Sequence, residues 1–134
     1  MNLDQNLGKK KRIFILEDNE LRRVRFREFF EGHDVTYTED SNEAIKILRK
    51  EKFDYLFLDH DLGGMVYVDS GEPNTGYQVA KIIPETENKN ARIVIHSWNP
   101  EGAKNMMEAL NGCIVKYSPF GMFGKNALDW RWYS

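Results

Sequence analysis

Cysteine is nearly absent from this chain of 134 residues: Cys113 stands alone, so no intrachain disulfide can form. A chain without disulfides suits a reducing compartment, and the cytoplasm is the expected location. Cys113 opens an apolar run and reads as a buried structural thiol. An excess of either charge is also missing. Nineteen basic residues against 21 acidic ones leave a net charge of −2. A general nucleic-acid or membrane-surface binder needs a strongly basic balance, so neither partner is expected. No apolar run is long enough to span a bilayer. The polar stretch Met1–Gly8 has no apolar core of the kind a secretion signal carries. There are no internal repeats.

What is present is an alternation of short apolar runs and amphipathic stretches. After a flexible lead over residues 1–11, Arg12–Glu17 reads as a buried strand. Leu21, Val24, Phe26, Phe29 and Phe30 mark a helix closed by Gly32. His33–Thr38 alternates as a second strand. Asp40 and Glu43 form a capping box for a helix holding Ala44, Ile45, Ile47 and Leu48. Phe53–Leu58 is strand three. Thr75 caps a helix with Val79, Ala80, Ile82 and Ile83, limited by Pro84. Arg92–Ile95 is strand four. Asn99 at the N-cap and Pro100 at the first helical position start a helix that stops at Gly112. Cys113–Tyr117 is strand five, and the tail with Trp130, Trp132 and Tyr133 forms a short terminal helix. Strands alternating with helices predict an α/β fold. The order expected is flavodoxin-like: a five-stranded parallel sheet, 2-1-3-4-5, with helices on both faces. Residues 12–134 make a single domain, with residues 63–74 inserted as a glycine-rich hairpin or flap.

In such a sheet, ligands sit beyond the carboxyl ends of the strands. Those ends carry Glu17 and Asp18, then Asp59, His60 and Asp61, then His96, Ser97 and Asn99. Carboxylates gathered in one crevice repel each other unless protons or a cation intervene. Glu17, Asp18, Asp59 and Asp61 are therefore candidate metal ligands, with magnesium or manganese the expected ion. The helix after Asn99 offers free amides to a phosphate beside Ser97 and Asn99. Arg22, nearest the acidic turn, is a candidate for bidentate phosphate binding. Trp98 is either core or a stacking surface at the crevice mouth.

Four runs carry a resemblance. Ile15-Leu16-Glu17-Asp18-Asn19, Phe57-Leu58-Asp59 with Leu62-Gly63-Gly64, Thr75-Gly76, and Ile95-His96-Ser97 are similar to the receiver domain of two-component response regulators, over about residues 12–120. That likeness implies metal-binding acids at Glu17 and Asp18, a phospho-accepting Asp59 and a switch hydroxyl at Ser97. Receiver domains also place a lysine directly before a proline at the end of strand five. Here Ser118 precedes Pro119, and Lys116 lies two residues earlier on the same strand face. Whether Lys116 replaces that lysine stays open. The His60-Asp61-Leu62-Gly63 and His96-Ser97-x-Asn99-Pro100 runs resemble a receiver-derived branch, the cyclic-phosphate-processing receiver-like domains.

Together these readings predict metal-dependent hydrolysis of a cyclic phosphodiester, either a 2′,3′-cyclic phosphate RNA end or a cyclic nucleotide. The catalytic set is Asp59 with His60 and His96, one imidazole protonating the leaving ribose oxygen. The expected partner is a small cyclic-phosphate or nucleotide ligand. The alternatives are a stand-alone receiver phosphorylated on Asp59, or a domain that binds a cyclic nucleotide without cutting it.

Overall fold

The computed structural model describes residues 9–133. Most of the expected flexible lead, residues 1–8, lies outside the described residues, as does Ser134. Lys11, at the end of that lead, is tied down. Its N–H donates to His33 Nδ1 at 3.0 Å, and its carbonyl accepts the Asp34 N–H at 2.9 Å.

The strands are β1 (Arg12–Leu16), β2 (Asp34–Thr38), β3 (Tyr55–Leu58), β4 (Arg92–Ile95) and β5 (Ile114–Tyr117). The helices are α1 (Glu20–Phe29), α2 (Ser41–Lys50), α3 (Gly76–Ile82) and α4 (Pro100–Ala109). All strand pairs are parallel, in the order β2-β1-β3-β4-β5, as expected from the sequence. Short 3-10 turns at Ile83–Glu85 and Glu87–Asn90 absorb Pro84, and the expected terminal helix is a single 3-10 turn at Trp130–Tyr133. None of the described helices is long and apolar enough to cross a membrane.

Local chemistry explains most boundaries. Asn19, Asp40 and Asn99 each accept a backbone N–H of the first helical turn, from Arg22, Glu43 and Gly102 respectively. Thr75 does not act as the expected cap. It is buried, and its hydroxyl donates to the Glu72 carbonyl at 3.2 Å, toward the 63–74 segment.

Two apolar layers sandwich the sheet. On one face, Phe14, Leu16, Leu56, Leu58, Ile93 and Ile95 pack against Ala44 and Leu48 of α2, Val79 and Ala80 of α3, and Ala103 and Met106 of α4. On the other, Ile13, Ile15, Phe57 and Val94 meet Phe26 of α1 together with Phe30, Phe123 and Ala127. Leu21 is not part of this layer and is 78% exposed. At about 100° per residue it lies roughly 140° around α1 from Phe26, so the two cannot share a face. Cys113 is half-buried beside the α2–α4 layer rather than enclosed in it.

The 63–74 segment is not a hairpin. A lone antiparallel bridge between Asp61 and Thr75 closes its neck. Gly63 and Gly64 take left-handed backbone angles, φ +71° and +76°, which glycine adopts without a Cβ penalty. This reversal delivers the Gly64 N–H to Asp18 Oδ2 at 2.6 Å.

Candidate active site

Strand register assembles the site. Leu16 of β1, Leu58 of β3 and Ile95 of β4 lie side by side. The residues that follow them, Glu17, Asp59 and His96, therefore form one row beyond the sheet edge. Each is buried. Successive side chains along an extended chain point to opposite faces, which separates Asp59 from His60.

His96 points to the α1 face. Its ring sits edge-on to Phe26, with centroids 5.1 Å apart. Nε2 lies 2.8 Å from Glu17 Oε1, and Nδ1 has no hydrogen-bond partner. A proton on Nδ1 would be buried and unpaired, so the geometry selects the Nε2–H tautomer donating to Glu17. Glu17 Oε2 accepts the Asn19 N–H at 3.0 Å. Burial opposes ionisation of Glu17, but the His96 and Asn19 hydrogen bonds and the Arg22 charge outweigh it and hold its pKa below the usual value.

Asp59 has fewer compensations. Burial and the neighbouring Glu17 carboxylate push its pKa up to about 7, against the opposing pull of His96, the His60 amide and Arg22. Asp18 is raised too, by burial and by Glu17, although Gly64 donates to it. The nearest cation is Arg22, whose Nη1 lies 3.9 Å from Glu17 Oε1 and 4.0 Å from Asp59 Oδ2. The Arg22 guanidinium also rests 5.3 Å from the Phe120 ring centroid, which fixes its direction.

These groups open into a cleft of about 460 Å³. Asp18, Asp59, Arg22 and Ser97 give it a polar floor, while Trp98 and the segment tip Met65-Val66-Tyr67 give it an apolar rim. Trp98 is 52% exposed, and its Nε1–H donates to the Phe120 carbonyl at 2.8 Å. It is a surface at the crevice mouth, not core.

The fold redirects several expected roles. His60 faces away from the cleft, against α4 on the opposite side of the sheet from His96. Its Nδ1 lies 2.7 Å from Asp61 Oδ1 and its Nε2 2.8 Å from Ser70 Oγ. Neither imidazole lines the cleft, so the expectation that both face one substrate is corrected by strand alternation. Asp61 borders the cleft, and both of its oxygens already accept hydrogen bonds. Oδ1 takes His60, Asn99 Nδ2 and the Val68 N–H, and Oδ2 takes the Tyr67 N–H. Burial raises its proton affinity, yet those bonds prevail and keep its pKa below the usual value. Asn99 caps α4 through Oδ1 and holds Asp61 and the Val68 carbonyl through Nδ2, so its side chain is not turned to a phosphate. Ser97 does line the cleft, with its oxygen accepting the Asn99 N–H at 3.0 Å. Lys116 pairs with Val94 in the β4–β5 register and is not among the cleft residues.

The sequence reading missed Gly76 and Gly102 as spacers. A Cβ on Gly76 would lie 1.8 Å from the Asp59 carbonyl oxygen, and one on Gly102 would lie 2.4 Å from His60 Cγ. It also missed Ser70 and Asn105, which have no local signature.

The donor set is one of hard oxygens from Asp18, Asp59 and Glu17, with two of the three pKa values displaced upward; Arg22 stands beside the Glu17 and Asp59 carboxylates, and the Arg23 guanidinium goes to the Glu17 carbonyl. That is a site short of positive charge, and a divalent cation that favours oxygen fits it. An oxygen of Glu17, an oxygen of Asp59 and a nitrogen of His96 also lie within 4.8 Å of one another. The His96 nitrogen in reach is already committed to Glu17, so the carboxylates are the better ligands.

A five-stranded parallel sheet with an acidic pocket at its carboxyl edge defines a receiver-like domain, and solved structures share the fold. The receiver domain of sensor histidine kinase PA1611 from Pseudomonas aeruginosa PAO1, with a magnesium ion coordinated in its active site cleft, superposes with a TM-score of 0.69. It is 20% identical, over 92% of this chain and 94% of that one. A response regulator from Burkholderia pseudomallei with a phosphorylated aspartic acid, calcium ion and citrate gives 0.68 at 19% identity, over 89% of this chain and 65% of that one. The Mn²⁺-bound form of response regulator Rcp1 gives 0.64 at 16% identity, over 90% and 88%. No curated protein sequence matches significantly. The chain belongs to the cyclic-phosphate processing receiver domain family, which matches residues 12–112.

Proposed function

We propose that this protein hydrolyses a cyclic phosphodiester, on a 2′,3′-cyclic phosphate RNA end or a cyclic nucleotide. The observation that carries the reading is the composition of the cleft. A carboxylate cluster lies beside one guanidinium at its floor, and an apolar rim of Trp98, Met65, Val66 and Tyr67 stands above. Such a cleft suits a ligand with an anionic end and a flat apolar end, at a volume typical of small-molecule sites.

The chain's own groups divide the work. Arg22 Nη1 stands beyond hydrogen-bond length from Glu17 and Asp59, at 3.9 and 4.0 Å, which leaves its N–H donors to a phosphoryl oxygen in the cleft. Ser97 accepts from Asn99, which leaves its hydroxyl proton to donate to a second phosphoryl oxygen. His96 acts at one remove, holding the Glu17 carboxylate in place. Asp18 and Asp59, with Glu17 behind them, would hold a magnesium- or manganese-type cation, which when bound neutralises phosphoryl charge and acidifies water. In the overall reaction the water oxygen bonds to phosphorus and the phosphorus–ribose oxygen bond breaks. One of the water's protons ends on the ribose oxygen, delivered through solvent in the open cleft because no imidazole lines it, and the other stays on the product phosphate or ionises to solvent.

The test is a panel of 2′,3′-cyclic mononucleotides, cyclic dinucleotides and RNA with a cyclic phosphate end, run with manganese, magnesium or chelator. Turnover that needs a cation and disappears in Asp59→Asn and Arg22→Ala supports the reading. A parent protein that cleaves nothing, or a rate indifferent to chelator, overturns it.

The second reading is a receiver phosphorylated on Asp59. What favours it is the fold shared with a response regulator that carries a phosphorylated aspartic acid. Against it, Lys116 is not among the cleft residues. Stable labelling by acetyl phosphate, abolished in Asp59→Asn, would select it.

A further inference from the structure

His60 is too elaborately held for a bystander and too deeply buried for a catalyst. Its ring is fully enclosed and lies against Gly102, where even a methyl group would not fit. Nδ1 bonds Asp61 and Nε2 bonds Ser70. Those partners reach the two limbs of the 63–74 segment. Asp61 accepts the Tyr67 N–H at 2.6 Å and the Val68 N–H at 3.2 Å, on the first limb. Ser70 lies on the second, and Asn105 of α4 donates to its Oγ at 2.9 Å. Asn99 closes the circuit through Asp61 and the Val68 carbonyl. Tyr67 is itself held at φ +53°, a left-handed angle that a residue with a side chain keeps only under constraint.

The consequence of this web is a fixed apolar tip. Met65, Val66 and Tyr67 are largely exposed, yet the backbone at Tyr67 and Val68 is bonded to Asp61 and the Met65 N–H to the Leu62 carbonyl. They share the cleft with Trp98, which is anchored in its turn on Phe120. Apolar residues displayed on a clamped loop cost solvation and gain nothing in the free fold, which points to a ligand.

We propose that His60 is a positioning residue: with Asp61, Ser70, Asn99 and Asn105 it clamps the 63–74 segment, so that Met65–Tyr67 and Trp98 present a preformed slot for the nucleobase of the substrate. The inference deepens the cyclic-phosphate reading and rests on it for the identity of the occupant, but the clamp is measurable without turnover. It assigns His60 to binding of the base and not to proton transfer.

Ser70→Ala and His60→Ala test it, the first because it removes the two hydrogen bonds of Ser70 Oγ, with His60 and Asn105, from a half-buried side chain without opening the core. Amide hydrogen exchange on the full chain should quicken across residues 65–72 in both variants and stay unchanged in β1, β3 and β4. With a 2′,3′-cyclic mononucleotide and manganese, KM for Ser70→Ala should rise roughly tenfold or more, the scale set by the two hydrogen bonds lost, while kcat falls far less. The pH profile of kcat should keep its shape in His60→Ala. Unchanged exchange at 65–72 in both variants overturns the clamp. A loss of kcat at constant KM, or a pH profile that loses a limb in His60→Ala, overturns the assignment to binding. A parent without turnover condemns the hydrolytic reading alone, because exchange still reads the clamp, and the change in tryptophan fluorescence that Trp98→Phe abolishes still reads nucleotide binding.

Discussion

Asp59 should make the cation-free protein less stable as pH rises. Its carboxyl is buried beside Glu17, and its pKa moves from 3.8 up to about 7. The folded state therefore binds more protons than the unfolded chain between those values. Stability contributed by the protonated form is present below the unfolded pKa and lost as pH climbs through the folded one. Each tenfold change in proton affinity is worth about 1.4 kcal/mol, so ionised Asp59 costs the fold up to roughly 4 kcal/mol above pH 7. Asp59→Asn removes that charge, and its side-chain oxygen can still accept the His60 N–H that Asp59 Oδ1 now takes at 2.8 Å. The assay is urea unfolding in chelator at steps from pH 5 to pH 8, for parent and variant. The Glu17 contribution has the opposite sign, its lowered pKa giving stability that is lost only as pH falls below 4.5, outside this window. Taking the difference between the two proteins cancels the groups that do not interact with Asp59. The Asn variant should gain on the parent steadily up to pH 7 and then hold a constant lead. Magnesium or manganese at 100 times its dissociation constant should return about 2.7 kcal/mol to the parent, and much less to the variant. Parallel pH curves for the two proteins would refute the reasoning, as would a parent that is the more stable at pH 8.

Three further perturbations follow from the packing. Gly102→Ala should destabilise by about 1–3 kcal/mol despite the better helix propensity of alanine, because its Cβ meets the pinned His60 ring; in a His60→Ala background the same change should be neutral or stabilising, which thermal unfolding of the four proteins of the cycle reads directly. Gly76→Ala meets backbone, not a side chain, and should lower stability and cation binding together, measured by unfolding with and without manganese. Asn99→Ala removes the α4 cap and a partner of Asp61, so a loss of about 1–2 kcal/mol is expected, accompanied by faster amide exchange at Tyr67 and Val68.

The frame was legible because it rests on local rules. Continuous apolar runs gave the buried strands, and Asn99-Pro100 announced α4 through capping chemistry that acts within one turn. The acidic ends of β1 and β3 were legible because parallel strands bring their carboxyl ends together whatever the loops do. The histidines were harder. Asp59 and His60 are adjacent, so they diverge to opposite faces, yet a reading that gathers everything at the strand ends places both in one pocket. Asp61 shows a different limit. Its charge was visible, but the backbone amides of Tyr67 and Val68 that consume it belong to a segment whose path no periodicity encodes. Ser70 and Asn105 come together only through that same path. Leu21 was misplaced for a simpler reason: five residues of helix carry a side chain to the far side.

The family match ends at residue 112, and the architecture does not. Phe120 and Phe123 pack onto Phe26 from beyond that point, Phe123 also onto Phe57 and Tyr133 onto Phe123, and β5 hydrogen-bonds the outer edge of β4. Phe120 further buttresses Arg22 and Trp98, one from the floor of the pocket and one from its rim. A fragment cut at the family boundary would expose a raw sheet edge and strip the aromatic floor from under the acidic residues. Expression vectors for this molecule should run through Tyr133, and an inert shorter version would say nothing about the chemistry of the intact one.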